Sequence, residues 1–256
     1  MITEANSSRL ASVSDGTRSA EYGYLTDSPL VEAITFKQSG TNKMVTAKAY
    51  DKLNRLKSTT HQTNSVTMSS YGYDYNQANQ RVKVTEADGS YWIYLYDALG
   101  QVKSGKKYWS DGKIVAGQQF EYGFDDIGNR KTAASGGDQW GVNLQYENYT
   151  VNSLNQYSQR TVPGVKDVIG TALTNATVTV NNQATYRKGE YFWKALGLDN
   201  SASAVWQSVT NVAVLNQTTN DLMTNVTGNV FLPKTPEVFS HDVDGNLTND
   251  GRWILT

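Results

Sequence analysis

Apolar and polar residues alternate along most of this chain, and the period is that of β-strands. The clearest stretch is Arg81-Val82-Lys83-Val84-Thr85-Glu86-Ala87. Asp88-Gly89 follows, a pair suited to the positive φ angles of a two-residue type I′ hairpin turn. Ser90-Tyr91-Trp92-Ile93-Tyr94-Leu95-Tyr96 then reads as the return strand. A two-residue loop sets Val84 opposite Ile93, Val82 opposite Leu95, Lys83 opposite Tyr94 and Arg81 opposite Tyr96. Opposed residues share a face. One face is therefore expected to be aliphatic, and the other to set cations beside aromatic rings.

This hairpin belongs to a series. A phrase of aromatic, any residue, aromatic and Asp recurs as Tyr71-Gly-Tyr73-Asp74, Tyr94-Leu-Tyr96-Asp97, Tyr122-Gly-Phe124-Asp125 and Phe239-Ser-His241-Asp242. Tyr50-Asp51 is a looser copy, Tyr22-Gly-Tyr24 an eroded one and Tyr146-Glu-Asn-Tyr149 a degraded one. The second ring falls at 24, 50, 73, 96, 124 and 149, in steps of 26, 23, 23, 28 and 25 residues. Each step holds two or three strands with their turns, which is the signature of a repeat array. The Asp is expected to start a turn by bonding backbone amides ahead of it. Gly or Asn then supplies left-handed backbone, as in Gly128-Asn129, Gly245-Asn246, Gly100 and Asn54.

The period breaks after Pro163. Residues 164–236 are rich in Thr, Asn and Val and read as an inserted small β domain, sandwich-like, between repeat arrays at 1–163 and 237–256. Its expected strands are Thr177–Val180, Glu190–Leu196, Ala204–Trp206, Val209–Val214 and Asn229–Leu232. The apolar run from Tyr191 to Leu196 also fits one helical turn.

Composition narrows the function classes. In 256 residues there is no Cys, so disulfides, thiol catalysis and thiolate metal sites are excluded. Two histidines, His61 and His241, are too few for a multi-histidine metal site. A net charge of −1 gives no broad basic field for nucleic acid. No apolar run is long enough to span a membrane, and the first residues lack the features of a signal peptide. No cofactor is expected.

The phrases, with Gln80-Arg81, Asp97-Ala98-Leu99-Gly100-Gln101-Val102, Asp125-Asp126-Ile127-Gly128-Asn129-Arg130 and Asp242-Val243-Asp244-Gly245-Asn246-Leu247, closely resemble the YD-repeat (rearrangement hot spot, RHS) family. The resemblance covers about 1–160 and 237–256. It implies an all-β fold: a curved antiparallel sheet of hairpins forming part of a hollow shell. It implies a non-enzymatic, structural role in a secreted or cell-surface bacterial protein. The partners it implies are the rest of the shell and an enclosed C-terminal, toxic domain. The ring-and-cation face is expected to be the inner wall. The chain reads as a piece of a longer protein, breaking off within a repeat at Trp253-Ile254-Leu255-Thr256, and it lacks the family's self-cleaving core segment.

Each sharper reading has a plainer competitor. Asp51, Asp74, Asp97, Asp125 and Asp242 recur with every copy, as turns require and catalysis does not. Glu121, Asp125 and Asp126 resemble a glycosidase acid pair but sit in an ordinary copy. Asp242-Val-Asp244-Gly245-Asn246 has Trp253 where a calcium loop needs Glu. Gly100 to Lys106 has phosphate-loop spacing, but Lys107 replaces the Ser or Thr. His61 reads as a solvated loop residue and His241 as a ring substitute. Tyr191, Trp193 and Trp206 in the insertion suit either a sandwich core or a carbohydrate- or cell-surface-binding platform.

Overall fold

Turns set the architecture, because nearly every strand is ended by a residue that accepts positive φ. Asn54, Asn79 and Asn155 adopt φ of 61°, 61° and 65°, and Gly100, Gly128 and Gly245 adopt 82°, 92° and 87°. Between these stops lie strands only. The structure, a computed structural model, describes residues 2–4 and 7–255. Met1, Ala5, Asn6 and Thr256 lie outside the described residues.

The first fourteen strands are β1 (Ile2–Thr3), β2 (Leu10–Ser14), β3 (Arg18–Tyr24), β4 (Val31–Gln38), β5 (Thr41–Tyr50), β6 (Leu56–Thr63) and β7 (Val66–Tyr75), then β8 (Arg81–Glu86), β9 (Tyr91–Tyr96), β10 (Val102–Tyr108), β11 (Ile114–Phe124), β12 (Arg130–Gly136), β13 (Leu144–Val151) and β14 (Tyr157–Arg160). They lie in chain order in one antiparallel sheet of 15 strands, completed by β22 (Glu237–Val238). Between β14 and β22 the chain builds two further sheets. One comprises β15 (Val165–Thr171), β18 (Tyr186–Lys188) and β19 (Tyr191–Gly197). The other comprises β16 (Thr177–Val180), β17 (Gln183–Ala184), β20 (Val205–Leu215) and β21 (Leu222–Leu232). A last hairpin joins β23 (Ser240–His241) to β24 (Leu247–Asn249). The fold class is all-β, as the alternation predicts.

The chain divides into two compact units, residues 1–100 with 107–112, and 101–106 with 113–256. In the first unit, described on its own, burial is shallow: Thr46, Thr59 and Ser90 are its buried residues among those described. The second unit holds most of the deep core. Val178, Val180, Phe192, Leu196 and Val209 form one apolar cluster between the two small sheets. The stems of the 164–236 segment are tied together. Thr235 Oγ1 accepts from Val162 N at 2.9 Å, and buried Asn200 donates to the carbonyls of Val162 (3.1 Å) and Pro233 (2.7 Å). Below the stems, Glu237 is buried and receives hydrogen bonds from Arg160 Nε (2.9 Å) and Nη2 and from Arg252 Nε.

Several expectations need correction. The β8–β9 register is one residue away from that expected: Lys83 faces Ile93, Val84 faces Trp92 and Thr85 faces Tyr91. The loop is three residues, closed by Glu86 N to Ser90 O (2.8 Å) and Gly89 N to Glu86 O (3.0 Å), with Gly89 at φ 80°. A type I turn followed by one left-handed residue, not a type I′ pair, makes this hairpin. A one-residue slip exchanges faces, so the expected separation of an aliphatic from an aromatic face does not hold here. Residues 191–197 do form the strand expected at 190–196, and the alternative of a helical turn falls away. The segments expected at 204–206 and 209–214 are one strand, β20, and 229–232 is the end of the eleven-residue β21. His61 lies in β6, half-buried, with its Nδ1 2.9 Å from Thr46 Oγ1.

Candidate functional site

The recurring phrase resolves into one device. At Asp125 the carboxylate Oδ1 accepts from the amides of Ile127 (3.1 Å) and Asn129 (2.7 Å), and Oδ2 accepts from Asn129 Nδ2 (2.8 Å). Gly128 N closes the turn onto Asp125 O at 3.1 Å. Asp242 repeats this with Asp244, Asn246 and Gly245, and Asp51 with Leu53, Arg55 and Asn54. Asn152 does the same with a neutral side chain, bonding the amides of Leu154 (2.9 Å) and Gln156 (3.0 Å). In the third copy Asp74 is not the turn residue. It lies inside β7, and Asn76 opens the turn instead, accepting from Gln80 N at 3.0 Å. The phrase there is Tyr73-Asp74-Tyr75-Asn76, two residues later than the spacing suggests.

The second ring has an equally regular task. Its phenol closes the hairpin by donating to a carbonyl at the start of the preceding strand. Tyr24 bonds Leu10 O (2.8 Å), Tyr50 bonds Val31 O (2.9 Å), Tyr75 bonds Leu56 O (2.7 Å) and Tyr96 bonds Arg81 O (2.7 Å). At Phe124 the hydroxyl is missing. There the hydroxyl of Tyr157, at the start of β14, accepts from Arg130 N at 2.8 Å.

After three of the turns an Arg begins the next strand (Arg55, Arg81 and Arg130), and Arg55 links two copies. Arg55 pairs with Asp51 of its own turn (2.7 Å), lies 4.6 Å from the ring centre of Tyr75 in the next copy, and donates to Asn79 Oδ1 (2.7 Å). Arg81 (4.0 Å from Tyr73) and Arg130 (5.3 Å from Tyr122) lie on rings of their own copy, Arg130 also lies 5.8 Å from Tyr149 of the next, and Lys83 lies 4.3 Å from Tyr91. Such half-exposed contacts stabilise by about 0.5–1 kcal/mol each.

The titration pattern agrees with this structural use. The side chain of Asn129, helped by backbone amides, holds Asp125 below the usual aspartate range although desolvation opposes this. Asp242 is lowered in the same way by Asn246. Glu121 is lowered by Lys106 (2.6 Å) and also bonds Tyr146. Glu121 and Asp125 are thus each committed to separate partners and do not face each other as an acid pair. Lys106, the cation of the phosphate-loop spacing, is spent on Glu121. Among the described residues, no group of three His, Asp or Glu is placed to hold a metal.

The three aromatic residues of the insertion fall in two places. Tyr191 and Trp193 alternate on β19 and reach toward β11. Tyr191 donates to Ala116 O at 2.5 Å, and burial, with Asp167 nearby, raises its pKa. Trp193 leaves no room for a Cβ at Gly117, whose φ is 78°. Trp193 Nε1 donates to Asp167 Oδ1 (2.8 Å), whose pKa burial raises. Trp206 is on the other sheet, 69% exposed, with its ring 6.3 Å from that of Phe231. A groove of about 580 Å³ missed by the sequence reading is edged by Trp140, which is 74% exposed, with Gln139, Asn143, Tyr186, Trp193 and Lys194. Trp140 sits at the tip of one more Asp-led turn, in which Asp138 Oδ1 accepts from its amide at 3.0 Å. That turn lacks the ring phrase that marks the others. A second cavity, about 550 Å³ and mainly apolar, opens between the two small sheets beside Ile169, Leu173, Leu215, Leu222 and Val226.

No family model and no curated protein matches the sequence. Solved structures do match. The TcdB2-TccC3-Cdc42 crystal structure is similar over 92% of this chain at 11% identity, with a TM-score of 0.49, and 10% of that chain is covered. TcdB2-TccC3 without its hypervariable C-terminal region matches over 92% at 12% identity (TM-score 0.47, 10% of that chain). The Tc holotoxin pore of Photorhabdus luminescens, carrying a TccC3 mutation, matches over 90% at 10% identity (TM-score 0.46, 12% of that chain). The chain spans about a tenth of the length of these chains.

Proposed function

We propose that this chain is a non-catalytic section of a YD-repeat shell, carrying residues 164–236 as an inserted domain. The single observation that carries this reading is the reuse of one turn. An Asx residue binds its own amides, a ring clamps the preceding strand, and an Arg ties one copy to the next. Residues put to the same use in several copies serve the sheet and not a substrate. In this reading the shell belongs to a secreted or cell-surface protein, and its partners are the remaining shell and an enclosed C-terminal domain. Limited proteolysis of the full-length polypeptide tests it. The enclosed domain should resist protease in the native protein and become sensitive when Asp125→Ala and Asn129→Ala open a turn. A downstream domain digested equally in both proteins would sink the idea.

A second reading, saccharide binding, is favoured by the exposed Trp140 at the rim of the 580 Å³ groove. Exposed rings with planar amides beside them suit sugar faces and hydroxyls. Its ligand residues would be Trp140 and Trp193, with Tyr191 as support and Trp206 as a separate exposed ring. A glycan array with Trp140→Ala and Trp206→Ala controls decides it. Binding lost in Trp140→Ala supports the reading; no binding by the intact chain removes it.

A further inference from the structure

β21 breaks the rules that keep sheet edges from associating. It is the last strand of its sheet, is eleven residues long, and pairs with β20 from Val205–Leu232 to Leu215–Leu222 without a bulge. From Leu222 to Leu232 there is no charge and no proline. Natural edges of such length carry Lys, Pro, a bulge or a cover. Leu222, Met223 and Val226 are 58%, 65% and 66% exposed.

The sequence of this strand also specifies what covers it. About Thr227 it is symmetric in part: Asn225 matches Asn229, Leu222 matches Leu232 and apolar Met223 matches Phe231, while Val226 falls against Gly228 and Thr224 against Val230. Two copies laid antiparallel about a two-fold axis at Thr227 place each of these residues opposite its counterpart. We propose that β21 is a self-complementary edge through which two copies of this chain pair into one continuous sheet.

Side-chain alternation supports the same partner. Val230 packs against the sandwich core and Leu232 is buried on the same face, so Leu222 and Val226, an even number of residues away, share that face. These two residues border the mouth of the 550 Å³ apolar cavity, where the opposing sheet leaves them uncovered. A two-fold axis normal to the sheet keeps faces aligned. It therefore brings the core-facing end of the partner strand beside the uncovered end of this one. The interface is isologous, so it closes at a dimer and does not propagate.

The register gives the test. Asn225 of one copy opposes Asn229 of the other, and both are exposed. Sedimentation equilibrium should find the 256-residue chain dimeric. Asn225→Lys with Asn229→Lys sets like charges opposite each other twice and should weaken the dimer roughly tenfold or more. Asn225→Lys with Asn229→Glu sets opposite charges together and should leave it at least as tight. A monomeric wild-type chain overturns the inference, and so does equal dimerisation of the two double variants. Unchanged circular dichroism separates lost pairing from lost folding.

Discussion

At the scale of single residues, the Asx side chain is worth more than its exposure suggests, because it satisfies two backbone amides that the turn leaves over. Its ionisation gives an acid limb. The carboxyl of Asp125 has its pKa depressed in the folded state, so its stabilisation is full above the ordinary aspartate value. That stabilisation is lost as pH falls through the lower, folded value. Asn152 makes the same amide bonds without a charge. Asp125→Asn is therefore expected to leave the melting temperature at pH 7 nearly unchanged and to reduce its fall on acidification, as followed by circular dichroism. An equal acid limb in both proteins would show that the carboxylate is not what holds the turn. The turn role of Asp51, Asp97, Asp125 and Asp242 was legible in the sequence because each is followed by Gly or Asn at the left-handed position. Asp74 was misplaced because Tyr71, Tyr73 and Tyr75 form three rings in alternation, and the pattern offers two equivalent readings. Only the left-handed backbone at Asn79 selects between them.

At the scale of elements, existence was easier to read than register. Alternation gives strands but does not count loop residues, and Asp-Gly fits both a two-residue turn and the end of a three-residue one. The β8–β9 hairpin takes the second form because Asp88 also bonds the amide and hydroxyl of buried Ser90 (2.9 and 2.6 Å), which fixes Ser90 as the closing residue. Gly89 then carries the whole left-handed requirement, and a Cβ there meets Ser110 at 3.1 Å. Gly89→Ala should cost about 1–2 kcal/mol in chemical denaturation. Gly89→Asn should cost less, since Asn54, Asn79 and Asn155 accept the same backbone elsewhere in the chain. An Ala variant as stable as the parent would contradict this turn. β21 was half missed because Thr, Asn and Gly break its apolar run, and its pairing with β20 is visible only across the chain.

At the scale of the molecule, β22 rejoins the large sheet at β14 after the chain has built two further sheets between them. The stems of the insertion are held by Asn200 and by the buried Glu237 between two arginines. The bonds to Tyr149 and Glu237 keep Arg160 charged although burial opposes this. Removing one partner of such a cluster leaves the others uncompensated. Glu237→Ala should therefore cost roughly 3 kcal/mol. Glu21→Ala, which breaks the exposed Lys37 pair, should cost about 1 kcal/mol or less. Equal losses in urea titrations would deny the clasp its role. None of this was readable in advance, since Arg160 and Glu237 are separated by the whole insertion. The groove beside Trp140 was hidden for the same reason: its walls come from β18, β19 and a turn far away in sequence.

Arg55 belongs to two rungs at once, bound to the carboxylate of its own turn and laid on a ring of the following one. Arg9 on Tyr24 and Arg130 on Tyr149 reach the ring of the following copy in the same way, so these borders share one form of seam, and a change to either partner is felt in two rungs.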